Sequence, residues 1–159
     1  MTAVGDLDAL SLLPPVGAVR RDGLTGLPNR PHWLDHAPGV LARAARENRP
    51  ASAVMIDLDG LGTVNEEQGL AAGDDLLASL GELWRALVGS PDLLARWGGD
   101  EFALLLLDAD AADARRVVLN LAAAAGPLIG VHFGVAEWDR VEPAEVLLTR
   151  AGRALPARV

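Results

Sequence analysis

Apolar positions along the chain fall into short blocks whose period changes from block to block. Residues 51–58 (Ala-Ser-Ala-Val-Met-Ile-Asp-Leu) form a compact apolar run with turn signals on both sides, the length of a buried strand. Leu76, Leu77, Leu80, Leu83, Trp84 and Leu87 recur at helical spacing and predict a helix over 74–88. Leu93 to Trp97 and Glu101 to Leu107 are two apolar runs flanking Gly98-Gly99, which predicts a hairpin with a turn of the primed type. An Ala-rich amphipathic helix is expected over 110–124, with Val117, Val118 and Leu121 inward. A strand over 128–136 and a last helix over 143–154 complete the pattern. Upstream, Asn29 can cap a helix beginning at Pro31, interrupted at Pro38-Gly39 and resuming to about Asn48. A loop and short helix are expected between the first strand and Gly69. The order is β-α-β-β-α-β with extra helices. That is a ferredoxin-like α/β (α+β) core, with an antiparallel sheet, a central hairpin and helices on one face.

Composition narrows the organisation. A chain of 159 residues, half of them hydrophobic, suits one domain with a sizeable core. Residues 1–21 read as an N-terminal helix or linker broken by Pro14-Pro15, or as partly disordered, and 22–159 as the domain. The net charge of -8 and the absence of a basic stripe argue against nucleic acid as a partner. Without cysteine there is no disulfide framework and no thiolate metal site. No apolar run reaches the roughly 18 residues that span a membrane, and no signal peptide is evident, so a cytoplasmic location is expected. All fourteen basic residues are Arg.

Chemistry concentrates at two acidic positions. Asp57 ends the first strand and Asp100 opens the outgoing strand of the hairpin. In a split β-α-β core the first strand lies beside the hairpin, so the two carboxylates can meet at one sheet edge. Two hard oxygen ligands, completed by triphosphate oxygens and water, suit Mg²⁺, and a metal clamp is what phosphoryl transfer needs. Either carboxylate alone reads equally well as a strand end facing water. Gly98 and Gly99 allow a ligand to approach the backbone closely. His32, His36 and His132 have no metal-ligand spacing and read as structural. Trp33 and Trp84 read as packing, and Trp97 as either core or the rim of a site.

Four segments carry a family resemblance in the expected order. Arg96-Trp-Gly-Gly-Asp-Glu-Phe102 resembles the GGDEF signature, and Asp22-Gly-Leu-Thr-Gly-Leu-Pro-Asn-Arg30 resembles the family's opening motif. Asp57-Leu-Asp59, Asn65 and Gly73-Asp74 resemble its metal-binding strand and nucleotide-binding helix, and Phe133-Gly-Val-Ala136 a late strand motif. The resemblance implies a nucleotide-cyclase or polymerase-palm-like fold and a diguanylate cyclase. Such an enzyme condenses two GTP into cyclic di-GMP and pyrophosphate, with Mg²⁺ or Mn²⁺ as cofactor. It implies that Asp57, the Leu58 carbonyl and Asp100 bind metal, and that Glu101 activates the 3′-hydroxyl or assists the metal. Asn65 and Asp74 would read guanine, an edge that suits an amide and a carboxylate. It further implies a homodimer for catalysis and a separate sensory or regulatory protein or domain.

The chain also departs from the family pattern. Leu61-Gly62 stands where an aromatic and a phosphate-contacting Lys are usual, and Ala151-Gly152, Pro156 and the final Val159 stand where further phosphate-contacting Lys and Arg are usual. Gly89-Ser-Pro-Asp92 replaces the Arg-x-x-Asp of the usual product-feedback site, so feedback is expected to be absent. These losses favour weak activity, or the alternative of a degenerate, non-catalytic module that binds GTP or a protein partner for signalling. A cyclase making an adenine-containing dinucleotide is a third reading, disfavoured by Asp74.

Overall fold

The structure is a computed structural model and describes residues 20–156; the reading of a helix or linker before the domain lies mostly outside them. The described elements are helix α1 (Arg30–Glu47), strand β1 (Ala51–Asp59), helices α2 (Leu61–Gln68) and α3 (Leu70–Leu87), strands β2 (Leu93–Arg96) and β3 (Glu101–Leu107), helix α4 (Ala111–Ala125), strand β4 (Gly130–Glu137) and helix α5 (Ala144–Arg153). The strands form one sheet in the order β2-β3-β1-β4, with every neighbouring pair antiparallel. This is the ferredoxin-like arrangement expected, with β1 beside the β2–β3 hairpin.

Helices cover both faces of the sheet, not one. Alternate residues of β1 point to opposite sides. Val54, Ile56 and Leu58 pack with Leu77, Leu80 and Trp84 of α3 and Val118 and Leu121 of α4. Ala51, Ala53 and Met55 pack instead with Trp33, Ala37 and Leu41 of α1 and Leu147 and Leu148 of α5. The helices that seemed extra to the core are therefore its second layer. Trp33 and Trp84 are fully buried, one in each layer. Trp84 stacks edge-on against Phe102 at 5.2 Å, and its indole N–H donates to the Leu121 carbonyl at 2.9 Å.

Local signals set most helix ends. Asn29 accepts from the His32 N–H (3.1 Å) at the start of α1. Asp110 and Asp113 form a capping box at the start of α4. The expected interruption of α1 does not occur, since Pro38 lies inside one continuous helix. Pro38 and Gly39 face solvent while Trp33, Ala37, Leu41 and Ala44 face the sheet. The hydrogen bond lost to proline is thus on the wet side, and apolar burial on the other side carries the helix through. Helix α3 starts at Leu70, four residues before the periodic block, because its first turn is mostly exposed and shows no apolar period.

Candidate functional site

The C-terminal end of β1 and the loop that opens β3 converge at one end of the sheet. Asp57 is the direct register partner of Glu101, and the Leu58 N–H donates to the Asp100 carbonyl at 2.8 Å. Asp57 and Asp100 are half-buried and Glu101 is exposed. The two acidic positions singled out in the sequence are thus brought together, with Glu101 beside them and Leu58 between.

The turn itself differs from the expectation. Neither Gly98 nor Gly99 has a left-handed φ, so the turn is not of the primed type. Its four residues, 97–100, are closed by bonds from the Trp97 and Gly98 N–H groups to the Glu101 carbonyl (2.7 and 3.2 Å). The shape comes from Arg96. Its guanidinium donates to the carbonyls of Gly98 (3.2 Å) and Gly99 (2.9 Å) and to both carboxylate oxygens of Asp22 (3.2 and 3.1 Å). Asp22 also accepts from the Thr25 N–H and hydroxyl at 2.8 and 2.7 Å. Burial pushes the Asp22 carboxyl up, but the bonds from Thr25 and Arg96 outweigh it and hold it below the ordinary value. The opening motif is therefore a brace for the glycine loop. Sequence reasoning did not single out Arg96 or Asp22, although both sat inside quoted motifs.

The donor set at the sheet end is oxygen only. Among the described residues no three His, Cys, Asp or Glu side chains converge as a metal cage. Two carboxylates and a backbone carbonyl suit a hard cation that shares its shell with substrate phosphates and water, the usual condition of Mg²⁺. Thiolate or imidazole ions have no such ligand set here.

A second feature lies just beyond β1. Gly60, at φ +97°, turns the chain from β1 into α2, a backbone conformation glycine adopts without strain. Asn65 on α2 then lies against Gly73 of α3, where an added Cβ would stand 1.7 Å from the Asn65 Oδ1. That oxygen is buried without a hydrogen-bond partner, and buried polar atoms are rarely left so. Asp74 follows Gly73 and is exposed. The absent side chain of Gly73 is what lets Asn65 and Asp74 share one surface.

Around this edge, Trp97 is half-buried, packs edge-on against Trp33 at 5.4 Å and lies under the Arg30 guanidinium at 4.6 Å. His132 pairs in register with Asp57 and lies 3.4 Å from Asp59. Gly62 is exposed, with nothing within 4 Å of an added Cβ. Among the described residues no helix is long and apolar enough to cross a membrane.

Comparison with known proteins agrees with this geometry. The family model described as "Diguanylate cyclase, GGDEF domain" matches residues 19–157. The chain is 42% identical over 100 residues to the bifunctional diguanylate cyclase/cyclic di-GMP phosphodiesterase MucR of Pseudomonas aeruginosa, an alignment covering 63% of this chain and 15% of MucR. It is 43% identical over 104 residues to the diguanylate cyclase TpbB of the same organism, covering 64% of this chain and 24% of TpbB. The chain thus spans about a quarter or less of these relatives. Among solved structures, a sensory box/GGDEF family protein from Caulobacter crescentus superposes with TM-score 0.76 at 29% identity, covering 85% of this chain and 94% of that one. The GGDEF domain of TpbB superposes with TM-score 0.74 at 30% identity, covering 85% and 86%. With the family model matched over nearly its whole length, and the signature loop, the paired acidic strand ends and the sheet order all in place, the chain belongs to the GGDEF family.

Proposed function

We propose that this domain is a diguanylate cyclase that condenses two GTP into cyclic di-GMP and pyrophosphate. The observation that carries the reading is the convergence of Asp57 with Asp100 and Glu101 at one sheet end, tied by the 2.8 Å bond from Leu58 to Asp100. Asp57, the Leu58 carbonyl and Asp100 would hold Mg²⁺ or Mn²⁺, which supplies neutralisation of charge around the α-phosphorus and the leaving pyrophosphate. Glu101, exposed beside Asp57, accepts the proton of the attacking 3′-hydroxyl as its oxygen bonds the α-phosphorus and the bond to pyrophosphate breaks. The Gly98-Gly99 loop, braced by Arg96, admits the triphosphate close to the backbone. Asp74 accepts from guanine N1–H and N2–H, and the partnerless Asn65 oxygen lies beside it as a further acceptor.

One domain holds one GTP in this scheme, so the attacking hydroxyl comes from a second copy and catalysis needs a homodimer. A sensory or regulatory protein or domain would set the encounter, and a cytoplasmic location would supply the GTP. The diguanylate cyclase SiaD of Pseudomonas aeruginosa, 27% identical with TM-score 0.75 and covering 96% of this chain, has been solved with its activator SiaC. The second reading, a non-catalytic GTP-binding module, is favoured by Gly62, which leaves the phosphate end of α2 without a cation. Incubation with GTP and Mg²⁺ separates the two. The cyclase reading expects cyclic di-GMP; metal-dependent GTP binding with no product overturns it in favour of the module.

A further inference from the structure

Away from the sheet end, a cavity of about 400 Å³ lies between the opening loop, α1, the end of α3 and edge strand β2. Four basic side chains line it: Arg21, Arg85, His32 and His36. Arg21 and Arg85 converge on one point. The Arg21 Nη1 donates to the Gly26 carbonyl at 2.6 Å, and the Arg85 Nη1 stands 3.6 Å from where a Gly26 Cβ would be. Among the described residues neither guanidinium pairs with a carboxylate, in a chain that carries 22 acidic side chains. Two like charges gathered without a counter-ion repel each other unless an anion joins them.

His32 adds an independent observation. It is 5% exposed, and its Nδ1 is buried without a hydrogen-bond partner. His36 stacks on it at 3.8 Å and directs its own Nδ1 to the His32 carbonyl. Burial, then His36, Arg20 and Arg21, hold His32 below its ordinary pKa, so the cavity wall disfavours any further cation. Asp92 is the one carboxylate among the lining residues, and it accepts from the Leu107 N–H at 2.9 Å. The rest of the wall is largely apolar: Leu27, Val88, Leu93 and Leu94. A few converging polar groups in an apolar cavity of this size are the usual form of a small-molecule site.

We propose that this cavity is a second ligand site, separate from the nucleotide site, for a small phosphate monoester with a compact apolar body. The guanidiniums of Arg21 and Arg85 fork onto the phosphate, as paired arginines do, and His32 closes the site behind it. The leucines and Val88 take the apolar part.

The test uses phenyl phosphate as the probe, with chelator present so that the metal-dependent nucleotide site is silent. Calorimetry of the wild-type chain should show saturable binding, with Kd of about 1 mM or tighter. Arg85→Gln, whose guanidinium makes no hydrogen bond or ion pair among the described residues, should weaken binding about tenfold or more. Asp100→Ala should leave it unchanged. The ring-nitrogen resonances of His32 should shift along the same saturation curve, a readout that needs no variant. Binding that fails to saturate, binding equally strong in Arg85→Gln, or His32 resonances that stay fixed through saturation would each overturn the proposal. Loss of binding in Asp100→Ala would do so too, by assigning the probe to the nucleotide site.

Discussion

Asp22 and Asp92 are the two carboxylates of this chain whose surroundings pull in opposite directions. The folded-state pKa of Asp22 is lowered, so its ionised form stabilises the fold above its ordinary pKa, and that contribution is lost as pH falls through the folded value. Asp22→Asn should therefore lower Tm at neutral pH, by the equivalent of about 1–3 kcal/mol for the charged bonds removed, and the gap to wild type should close in acid. Asp92 is raised by burial, against the opposing Leu107 N–H, so its ionisation costs stability as pH rises from the ordinary toward the folded pKa. Asn at position 92 can still accept from Leu107, so Asp92→Asn should match or exceed the wild-type Tm at neutral pH and lose any advantage in acid. Thermal melts across pH check both. The same buried engagement of Asp92, with Gly89 in place of Arg, supports the expectation that product feedback is absent. A third residue-scale prediction concerns Gly62. The space around it is open, so Gly62→Lys should fold, gain about 0.5–1 kcal/mol of helix propensity and tighten GTP about tenfold, measured by calorimetry with Mg²⁺. Unchanged affinity would show that this position does not meet phosphate.

Elements show where the sequence was legible and where it was not. Strands β1 and β3 and helix α4 were readable because each is one uninterrupted period between turn signals. The acidic pair could be placed because strand order alone puts the end of β1 beside the start of β3. The second helical layer was not readable as such, because facing a sheet leaves the same amphipathic stripe on either side. The turn type was misread because two glycines suggest left-handed φ, while the loop is in fact held by Arg96 from outside the turn. That brace reaches 74 positions back to Asp22, beyond any local pattern. The contact between α2 and α3 was equally hidden, since nothing local says that Asn65 lies against Gly73. It supports a prediction at this scale. Gly73→Ala improves helix propensity by about 1 kcal/mol, yet places a Cβ 1.7 Å from the Asn65 oxygen. The variant should keep a Tm within a few degrees of wild type while GTP binding weakens about tenfold or more, because Asn65 must leave its position. Equal affinity in both proteins would show that Asn65 takes no part in the nucleotide site.

For the whole molecule, the central claim is that one domain supplies half of a catalytic centre. The sheet end presents one set of Asp57, Asp100 and Glu101 and one Asn65–Asp74 surface, which is room in the scheme for one GTP. The attack then needs a second copy, and the rate should rise more steeply than linearly with protein concentration below the dimer constant. It should also be low, because each phosphate contact missing at Gly62 and the C-terminal end is worth about 1–3 kcal/mol, or about ten- to a hundredfold in rate. The most direct measurement is cyclic di-GMP formed from GTP and Mg²⁺ by wild type and by Asp100→Ala, each at several protein concentrations. The account predicts product from wild type, with a rate steeper than linear in protein, and none from Asp100→Ala. Undiminished product from Asp100→Ala, or a wild-type rate strictly proportional to protein down to the lowest concentration, would contradict it.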